Sequence, residues 1–169
     1  MSAEFEIRKL NSQDQCWVAR LLTEQWGSAE IVTRGSIHLA DRLPGFAAFL
    51  KSQPIGLITY RITESQCEII TLNSLLPSQG IGSALISAVR EPAISAGCRR
   101  LWLITTNDNL LALRFFQKRG FCISAVYPDA IQHSRRLKPE IPLIGREGIF
   151  LRDELELESF LAMKPTSIQ

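Results

Sequence analysis

The first part of the chain changes its hydrophobic period after a short opening segment. Apolar and polar residues alternate over 5–10, whereas over 18–26 apolar residues recur every three or four positions. A period of two predicts a strand, and a period near 3.6 predicts an amphipathic helix. Asn11 and Ser12, between the two segments, are residue types that commonly cap a helix N-terminus. The segment 27–41 that follows has no regular period and is predicted to be irregular.

Three apolar segments come next, over 46–50, 55–62 and 67–72, and the last two are rich in Ile, Thr, Tyr and Leu. This composition is typical of strands. Short polar turns over 52–54 and 63–66 separate the segments, and such turns join antiparallel neighbours. The first part of the sheet is therefore predicted to be antiparallel.

The second half begins with a glycine-containing loop, 77–82, and a helical stretch that reaches Ala96 just before Gly97, a residue type that often ends helices. Pro92 lies inside this stretch and lacks a backbone N–H, so it is predicted to kink or split the helix. The apolar run 100–105 then predicts a strand.

Two helix-capping candidates, Asn107 and Asp108, follow that strand and predict another helix. A strand over 121–127, a loop over 128–148 with prolines, and a last strand over 149–157 complete the pattern. This half is therefore a strand, helix, strand, helix unit with further strands after it.

Composition limits the possible functions. With 169 residues, 46% hydrophobic and 21% charged, the chain has the size and composition of one globular domain over 1–169. Its net charge of +2 is too balanced to indicate binding to nucleic acid or a membrane, so a small-molecule or protein partner is favoured.

No segment resembles a signal peptide and no apolar run approaches about 20 residues, so we expect a cytoplasmic protein. Nothing in the pattern indicates an oligomeric state. Widely spaced thiols and only two histidines predict no metal site, and the thiols are Cys16, Cys67, Cys98 and Cys122.

The loop Gly80-Ile81-Gly82-Ser83 lies between a predicted strand and a predicted helix. Backbone N–H groups at a helix N-terminus bind phosphate, and glycine allows a close approach. A dinucleotide fingerprint needs a third small residue where this chain has Leu85, and a Walker loop needs Gly-Lys followed by Ser or Thr. Both of those nucleotide-binding motifs are excluded. The two glycines either bind an anion at the helix N-terminus or simply form a turn.

Two tracts resemble motifs of the GNAT acyltransferases. The tract PSQGIGSAL, 77–85, resembles their acetyl-CoA pyrophosphate loop, Q/R-x-x-G-x-G/A, with Pro77 at the first motif position and Gln79 nearby as a polar group. The tract from Asn109 to Phe121 matches the spacing of their pattern N-x-x-A-x-x-x-Y-x-x-x-G-F, with Phe116 at the Tyr position. The run LKPEIPLIGREGIFLRDELELE also resembles the C-terminal part of a bacterial group within this family.

This resemblance implies an α+β fold with a mixed, mostly antiparallel sheet of six or seven strands, helices on both faces, and a split at the acyl-CoA site. It implies acetyl-CoA as cosubstrate, no metal, and direct acyl transfer to an amine of a small molecule or a protein. The implied acetyl-CoA contacts are Leu72, Asn73, Ser74, Gln79, Gly80, Ile81, Gly82, Ser83, Asn109 and Phe116.

An amine acceptor needs a base, because a lysine-like ammonium of pKa about 10.4 costs roughly 4 to 5 kcal/mol to deprotonate at pH 7. Glu68 is the candidate by resemblance, since some relatives carry a catalytic Glu on the corresponding strand. It stands four residues before Leu72, so both side chains are predicted on one face, where burial would raise the pKa of Glu68. The alternative is a solvated strand carboxylate.

Phe116 stands where many relatives have a Tyr, whose hydroxyl protonates the CoA thiolate as it leaves. Either the thiolate leaves without that donor, or the protein is a catalytically weak acyl-CoA sensor. An unrelated α/β binding domain is a third hypothesis.

For the loop before the last strand, a solvated basic face is favoured over attraction of an acidic acceptor, and its basic residues are His133, Arg135, Arg136 and Lys138. The roles of Trp26, Arg34 and His38 stay open, with core packing expected for Trp26.

Overall fold

The computed structural model of the chain describes residues 4–162, so both ends of the predicted single domain over 1–169 lie outside the described residues. The strands are β1 (Glu6–Lys9), β2 (Glu30–Thr33), β3 (Ser36–Leu39), β4 (Gly45–Leu50), β5 (Gln53–Thr63), β6 (Gln66–Ser74), β7 (Arg100–Thr106), β8 (Cys122–Tyr127) and β9 (Glu154–Phe160). The helices are α1 (Gln15–Trp26), α2 (Ile81–Ser95), α3 (Leu110–Gln117) and α4 (Ala130–Leu137).

Seven of these strands form one sheet in the order β1-β4-β5-β6-β7-β9-β8, and β2 and β3 form a separate hairpin. The neighbours β6 and β7 run parallel, and the other neighbouring pairs in the sheet are antiparallel. The predicted mixed, mostly antiparallel sheet is confirmed.

Helices cover both faces of the sheet, as predicted. On one face, Leu85 of α2 and Phe116 of α3 pack with strand residues such as Leu157 in the larger core. On the other face, Leu22 of α1 packs with Leu57 and other apolar residues in a smaller core. Apolar burial of this kind contributes about 25 cal/mol for each Å² removed from water, so both layers stabilise the sheet.

The prediction of irregular structure over 27–41 was wrong, because this segment contains the β2–β3 hairpin. Thr33 pairs with Ser36 across a two-residue turn in which Arg34 and Gly35 have φ of 48° and 69°. Two consecutive positive φ values are typical of the turn that matches the twist of a tight hairpin. The side chain of Ile31 fixes the hairpin by inserting into the smaller core.

Four further predictions need correction. The predicted loop 128–148 contains α4, and the last strand begins at Glu154 instead of 149. Helix α2 is not split at Pro92, because this proline lies in its last turn and the helix continues to Ser95. Asn109, not Asn107 or Asp108, caps α3, with its side chain accepting a hydrogen bond from the Ala112 N–H.

Candidate functional site

The sheet splits between its two parallel strands. Strands β6 and β7 are paired only from Gln66–Arg100 to Ile69–Leu103, although they continue to Ser74 and Thr106. Their ends beyond the last pair therefore leave a gap in the middle of the sheet, as the family resemblance implied.

A cavity of about 800 Å³ lies beside this gap and reaches α2, α3, Gln25 of α1 and Arg146 of the loop before β9. Most of the predicted acetyl-CoA contacts line it: Leu72, Asn73, Ser74, Gly80, Ile81, Gly82, Asn109 and Phe116. Gln79 and Ser83 lie next to lining residues but are not part of the wall, and Glu68 lies elsewhere. The two sequence motifs thus meet around one cavity.

The N-terminus of α2 opens into this cavity. Gly80, the N-cap, has φ of 77°, and no side chain caps the helix there. The first N–H groups of a helix have no partner within it, and the helix dipole attracts anions to them. Arg119 lies beside this end, donating from Nε to Ser83 Oγ at 2.8 Å, with its guanidinium 3.5 Å from the centre of the Phe115 ring. The N-terminus of α2 and the guanidinium of Arg119 together have the chemistry of a phosphate-binding site.

Gly82 has a packing role that the sequence did not reveal. A Cβ at this position would lie 2.7 Å from Cζ of Phe115, and the contact is with the ring, not with open cavity. Glycine here lets α3 approach the first turn of α2. A larger residue would therefore displace the Phe115 ring and, with it, Arg119.

Phe116 is 6% exposed and packs edge-to-face against Phe115 and Phe121. It lines the cavity but supplies no proton donor. The aromatic packing explains why an apolar ring suits this position.

Glu68 and Leu72 lie on opposite faces of β6, which contradicts the prediction that they share one. Thr71 pairs with Thr59 and Ile69 pairs with Tyr60, so Ile70 is an extra residue that forms a β-bulge. One extra residue reverses the alternation of side chains along the strand. As a result, Leu72 packs towards the larger core, as do the neighbours of Glu68 in β6.

Glu68 is nevertheless a buried carboxylate, 3% exposed. Its Oε2 accepts a hydrogen bond from Arg61 Nη2 at 2.8 Å. Burial raises the pKa of Glu68 above its usual value, and Arg61 and the hydroxyl of Thr33 oppose that shift. A separate cavity of about 170 Å³ is lined by Glu68, Arg61 and Trp102. The alternative of a solvated carboxylate is wrong.

Two more buried carboxylates, Glu154 and Glu156, lie on the same face of the sheet as Glu68 and were missed. The strict alternation of Glu and Leu over 154–158 was a signal for them, because it predicts a strand with one apolar and one acidic face. Leu155 and Leu157 face the larger core, and the acidic side chains face the opposite way.

These carboxylates have different electrostatics. Both oxygens of Glu154 accept hydrogen bonds from the Arg34 N–H, at 3.1 and 3.2 Å, and burial raises the pKa of Glu154. Burial also acts to raise the pKa of Glu156, but hydrogen bonds from Arg100, Tyr127 and Ser124 outweigh it and lower that pKa.

The residues whose roles were open make defined contacts. Trp26 is partly exposed, not in the core, and its Nε1 donates to Asn73 Oδ1 at 3.1 Å at the edge of the cavity. The ring of His38 lies 3.0 Å from Thr33 Oγ1, and burial lowers its pKa. The guanidinium of Arg34 stacks on Tyr127 at 3.3 Å.

The basic group before the last strand is not one solvated face. Arg135 donates to the backbone oxygens of Ile141, Pro142 and Leu151, and Lys138 donates to the oxygen of Glu30. These cations therefore hold the loop, whereas four others line the cavity: Arg114, Lys118, Arg119 and Arg146.

Within residues 4–162, no group of three or more His, Cys, Asp or Glu side chains could hold a metal ion. In the same residues, no helix has the length and apolar character needed to cross a membrane.

Comparisons with known proteins agree with this geometry. A model of the acetyltransferase (GNAT) family matches residues 8–121. The chain is 48% identical over 133 residues to the uncharacterized protein YdhI of Bacillus subtilis (strain 168), covering 78% of this chain and 83% of that protein. It is 40% identical over 141 residues to the uncharacterized protein YxbD of the same organism, covering 83% of this chain and 89% of that protein. Among solved structures, a GNAT family acetyltransferase from Elizabethkingia anophelis with acetyl-CoA bound is similar in fold, with a TM-score of 0.66 and 19% identity over 93% of this chain and 98% of that one.

Proposed function

The chain belongs to the acetyltransferase (GNAT) family, and from this premise we propose that it transfers an acetyl group from acetyl-CoA directly to an amine. The observation that carries the proposal is the meeting of the sheet split with the uncapped N-terminus of α2 at one cavity. An acyl-CoA needs both features, one for its phosphates and one for its extended arm.

In this proposal the pyrophosphate binds the first N–H groups of α2, from Gly80 to Ser83, with Arg119 as counter-charge. The pantetheine arm follows Leu72, Asn73 and Ser74 along the gap. A strand N–H there faces the thioester oxygen, where negative charge grows as the amine attacks, and so stabilises the transition state.

Glu68 is the proposed general base. It is buried, its pKa is raised towards the working range of a base, and it precedes by one residue the last pair before the split. Its face of the sheet is the one opposite Leu72, so the reacting amine is proposed to lie in the split, with Glu68 on its hairpin side. Because Glu68 does not line the larger cavity, proton transfer would pass through water.

The test is acetyl-CoA binding by calorimetry, together with thiol release in the presence of a panel of amines. The substitution Arg119→Gln should raise the dissociation constant of acetyl-CoA by about tenfold, because it removes the charged hydrogen bonds proposed between Arg119 and the pyrophosphate. Arg20→Gln, an exposed charge on α1, is the matched control and should leave it unchanged. An unaltered affinity in a folded Arg119→Gln protein would contradict the proposed phosphate site.

The packing of Phe116 favours a second candidate, an acyl-CoA sensor, because no hydroxyl stands at this position to protonate a leaving thiolate. Tight acetyl-CoA binding without thiol release on the whole amine panel would select the sensor. Thiol release that depends on an amine would reject it.

A further inference from the structure

One loop brings a positive charge to the cavity in a fixed position. This loop, which we call the acceptor loop, comprises residues 138–153 between α4 and β9. Arg135 holds its base through hydrogen bonds to three backbone oxygens. Its two arms pair between Ile144 and Phe150, and the Gly145 N–H donates to the oxygen of Ile149 at 2.8 Å.

The tip of the acceptor loop is fastened to the start of α3. Buried Asp108 accepts a hydrogen bond from the Arg146 N–H at 2.8 Å, and Gly145 leaves no room for a Cβ against that carboxylate. Asn107 donates to the oxygen of Phe150 and accepts from the N–H groups of Arg152 and Asp153. A backbone held in this way presents the Arg146 side chain at little entropic cost.

The guanidinium of Arg146 is available for an anion. Its side chain is 56% exposed, it lines the cavity, and its nearest carboxylate oxygen, on Asp108, is 4.0 Å away. Five N–H donors in a planar fork suit a carboxylate, which can accept two parallel hydrogen bonds.

This charge is separate from the proposed pyrophosphate site. Arg119 and the first turn of α2 lie beside the C-terminal end of α3, whereas Asp108 holds Arg146 at its N-terminal end. The eight residues of α3 span about 12 Å between those ends. A single diphosphate group is too small to use both.

Exposed apolar side chains lie in the same cavity wall and on the same loop as Arg146. Leu111, largely exposed, lines the cavity. Half-exposed Ile144 and Phe150 pair with each other across the acceptor loop and flank Arg146 in the sequence. A guanidinium available for an anion, together with these apolar side chains, is suited to a molecule that carries a carboxylate and an apolar group.

We propose that Arg146 and the acceptor loop bind the carboxylate of the acceptor, and that the acceptors are small amines with a carboxylate and an apolar group, the class of apolar amino acids. This inference rests on the proposed function. The carboxylate pairs with Arg146, the apolar group contacts Leu111, Ile144 and Phe150, and the amine points towards the split. The ammonium first loses one proton to solvent through Glu68. The transfer then breaks the thioester C–S bond and forms the amide C–N bond, and the second proton lost by the nitrogen goes to the released thiolate, giving CoA thiol.

The test compares three acceptors of one shape: phenylalanine, phenylalaninamide and 2-phenylethylamine. For the unaltered protein, kcat/KM should be at least about tenfold higher for phenylalanine than for either compound without a carboxylate, as expected for a charged hydrogen bond. Arg146→Gln should lower kcat/KM for phenylalanine about 10- to 100-fold, mainly through KM, and leave 2-phenylethylamine within about twofold. Arg136→Gln, which removes an exposed charge of α4 outside the cavity wall, is the matched control and should behave as the unaltered protein.

Other outcomes separate the two proposals. If Arg146→Gln weakens binding of acetyl-CoA but not of 3′-dephospho-acetyl-CoA, Arg146 binds the cosubstrate phosphate and the inference is overturned. If amines are acetylated without preference for a carboxylate, the inference fails and the proposed function stands. If acetyl-CoA binds and no amine is acetylated, the proposed function fails and the inference with it.

Discussion

At the scale of single residues, the clearest chemical prediction concerns the raised pKa of Glu68. Glu68 is nearly inaccessible to solvent yet paired with Arg61, whose side chain is partly exposed. A carboxylate in such surroundings keeps a proton to higher pH than a solvated one, because burial penalises its charge. In the proposed mechanism, this raised pKa would appear in the pH dependence of turnover.

Glu68→Gln retains the shape but removes the base, so turnover should fall on the order of a hundredfold with little change in acetyl-CoA affinity. In the unaltered protein, turnover should rise with pH through a midpoint above 4.5, the ordinary value for Glu, and this limb should vanish in the variant. Glu91→Gln, an exposed carboxylate on α2, is the control. Turnover within about twofold of normal would show that Glu68 is not the base.

At the scale of elements, side chains close the start of the 3-10 turn Ser12–Asp14, which leads directly into α1. Asn11 and Asp14 form a reciprocal cap, and Asp14 also accepts hydrogen bonds from Arg8 and Trp17. The Arg8 guanidinium holds the pKa of Asp14 well below its usual range, although burial opposes this. These contacts fix β1 to α1.

Asp14→Asn should lower the free energy of unfolding at pH 7 by about 1 to 3 kcal/mol, since it breaks a cap and a charged hydrogen bond. The folded pKa lies below the unfolded value of 3.8, so this stabilisation is present above 3.8 and is lost as the pH falls. Urea unfolding from pH 7 to pH 3 should show the variant and the unaltered protein converging. Glu24→Gln on the exposed side of α1 should change neither value, and a constant difference across this pH range would refute the linkage.

Longer elements were predictable and short ones were not. The strand-forming composition of 55–62 and 67–72 predicted β5 and β6, but β2 and β3 have four residues each, too few for a pattern to stand out. Helix α4 buries only Ala130, Ile131 and Ser134, so its sequence looks like a polar loop.

The candidate site was predictable where a motif defines backbone chemistry. The glycine loop and the Asn109 helix line one cavity as a pair. The bulge at Ile70 has no signature in the sequence, so the face of Glu68 was assigned wrongly. The contacts of Asp108 with the acceptor loop join residues 38 positions apart and depend on tertiary structure alone.

At the scale of the whole molecule, Glu154 joins three elements. From β9 it accepts hydrogen bonds from the Arg34 N–H of the hairpin and from the Ser134 hydroxyl of α4. The buried Glu154 carboxylate thus holds the β2–β3 hairpin and α4 against the face of the sheet that carries the acidic side chains of β9.

The pKa of Glu154 is raised by burial, so the folded protein holds its proton more tightly than the unfolded chain. Stability from this group is therefore greatest at low pH and is lost as the pH rises from 4.5 through the raised pKa. As the pH rises above 4.5, the melting temperature should fall by less in Glu154→Gln than in the unaltered protein. Glu140→Gln, an exposed carboxylate of the acceptor loop, should reproduce the unaltered slope; an equal slope in Glu154→Gln would contradict the assignment.

The split between β6 and β7 also changes the number of edges in the sheet. An open sheet has two outer edges, and beyond Ile69 and Leu103 this one has two more in its interior, where each strand keeps a paired neighbour on one side only. A strand edge accepts any extended chain whose amides can pair with it, whether a ligand arm or another polypeptide. The gap is therefore a third place, besides the two outer edges, at which this sheet is open to strand addition. In the proposed complex, a pantetheine arm bound there would take the place of the missing strand and so would protect these interior edges against self-association.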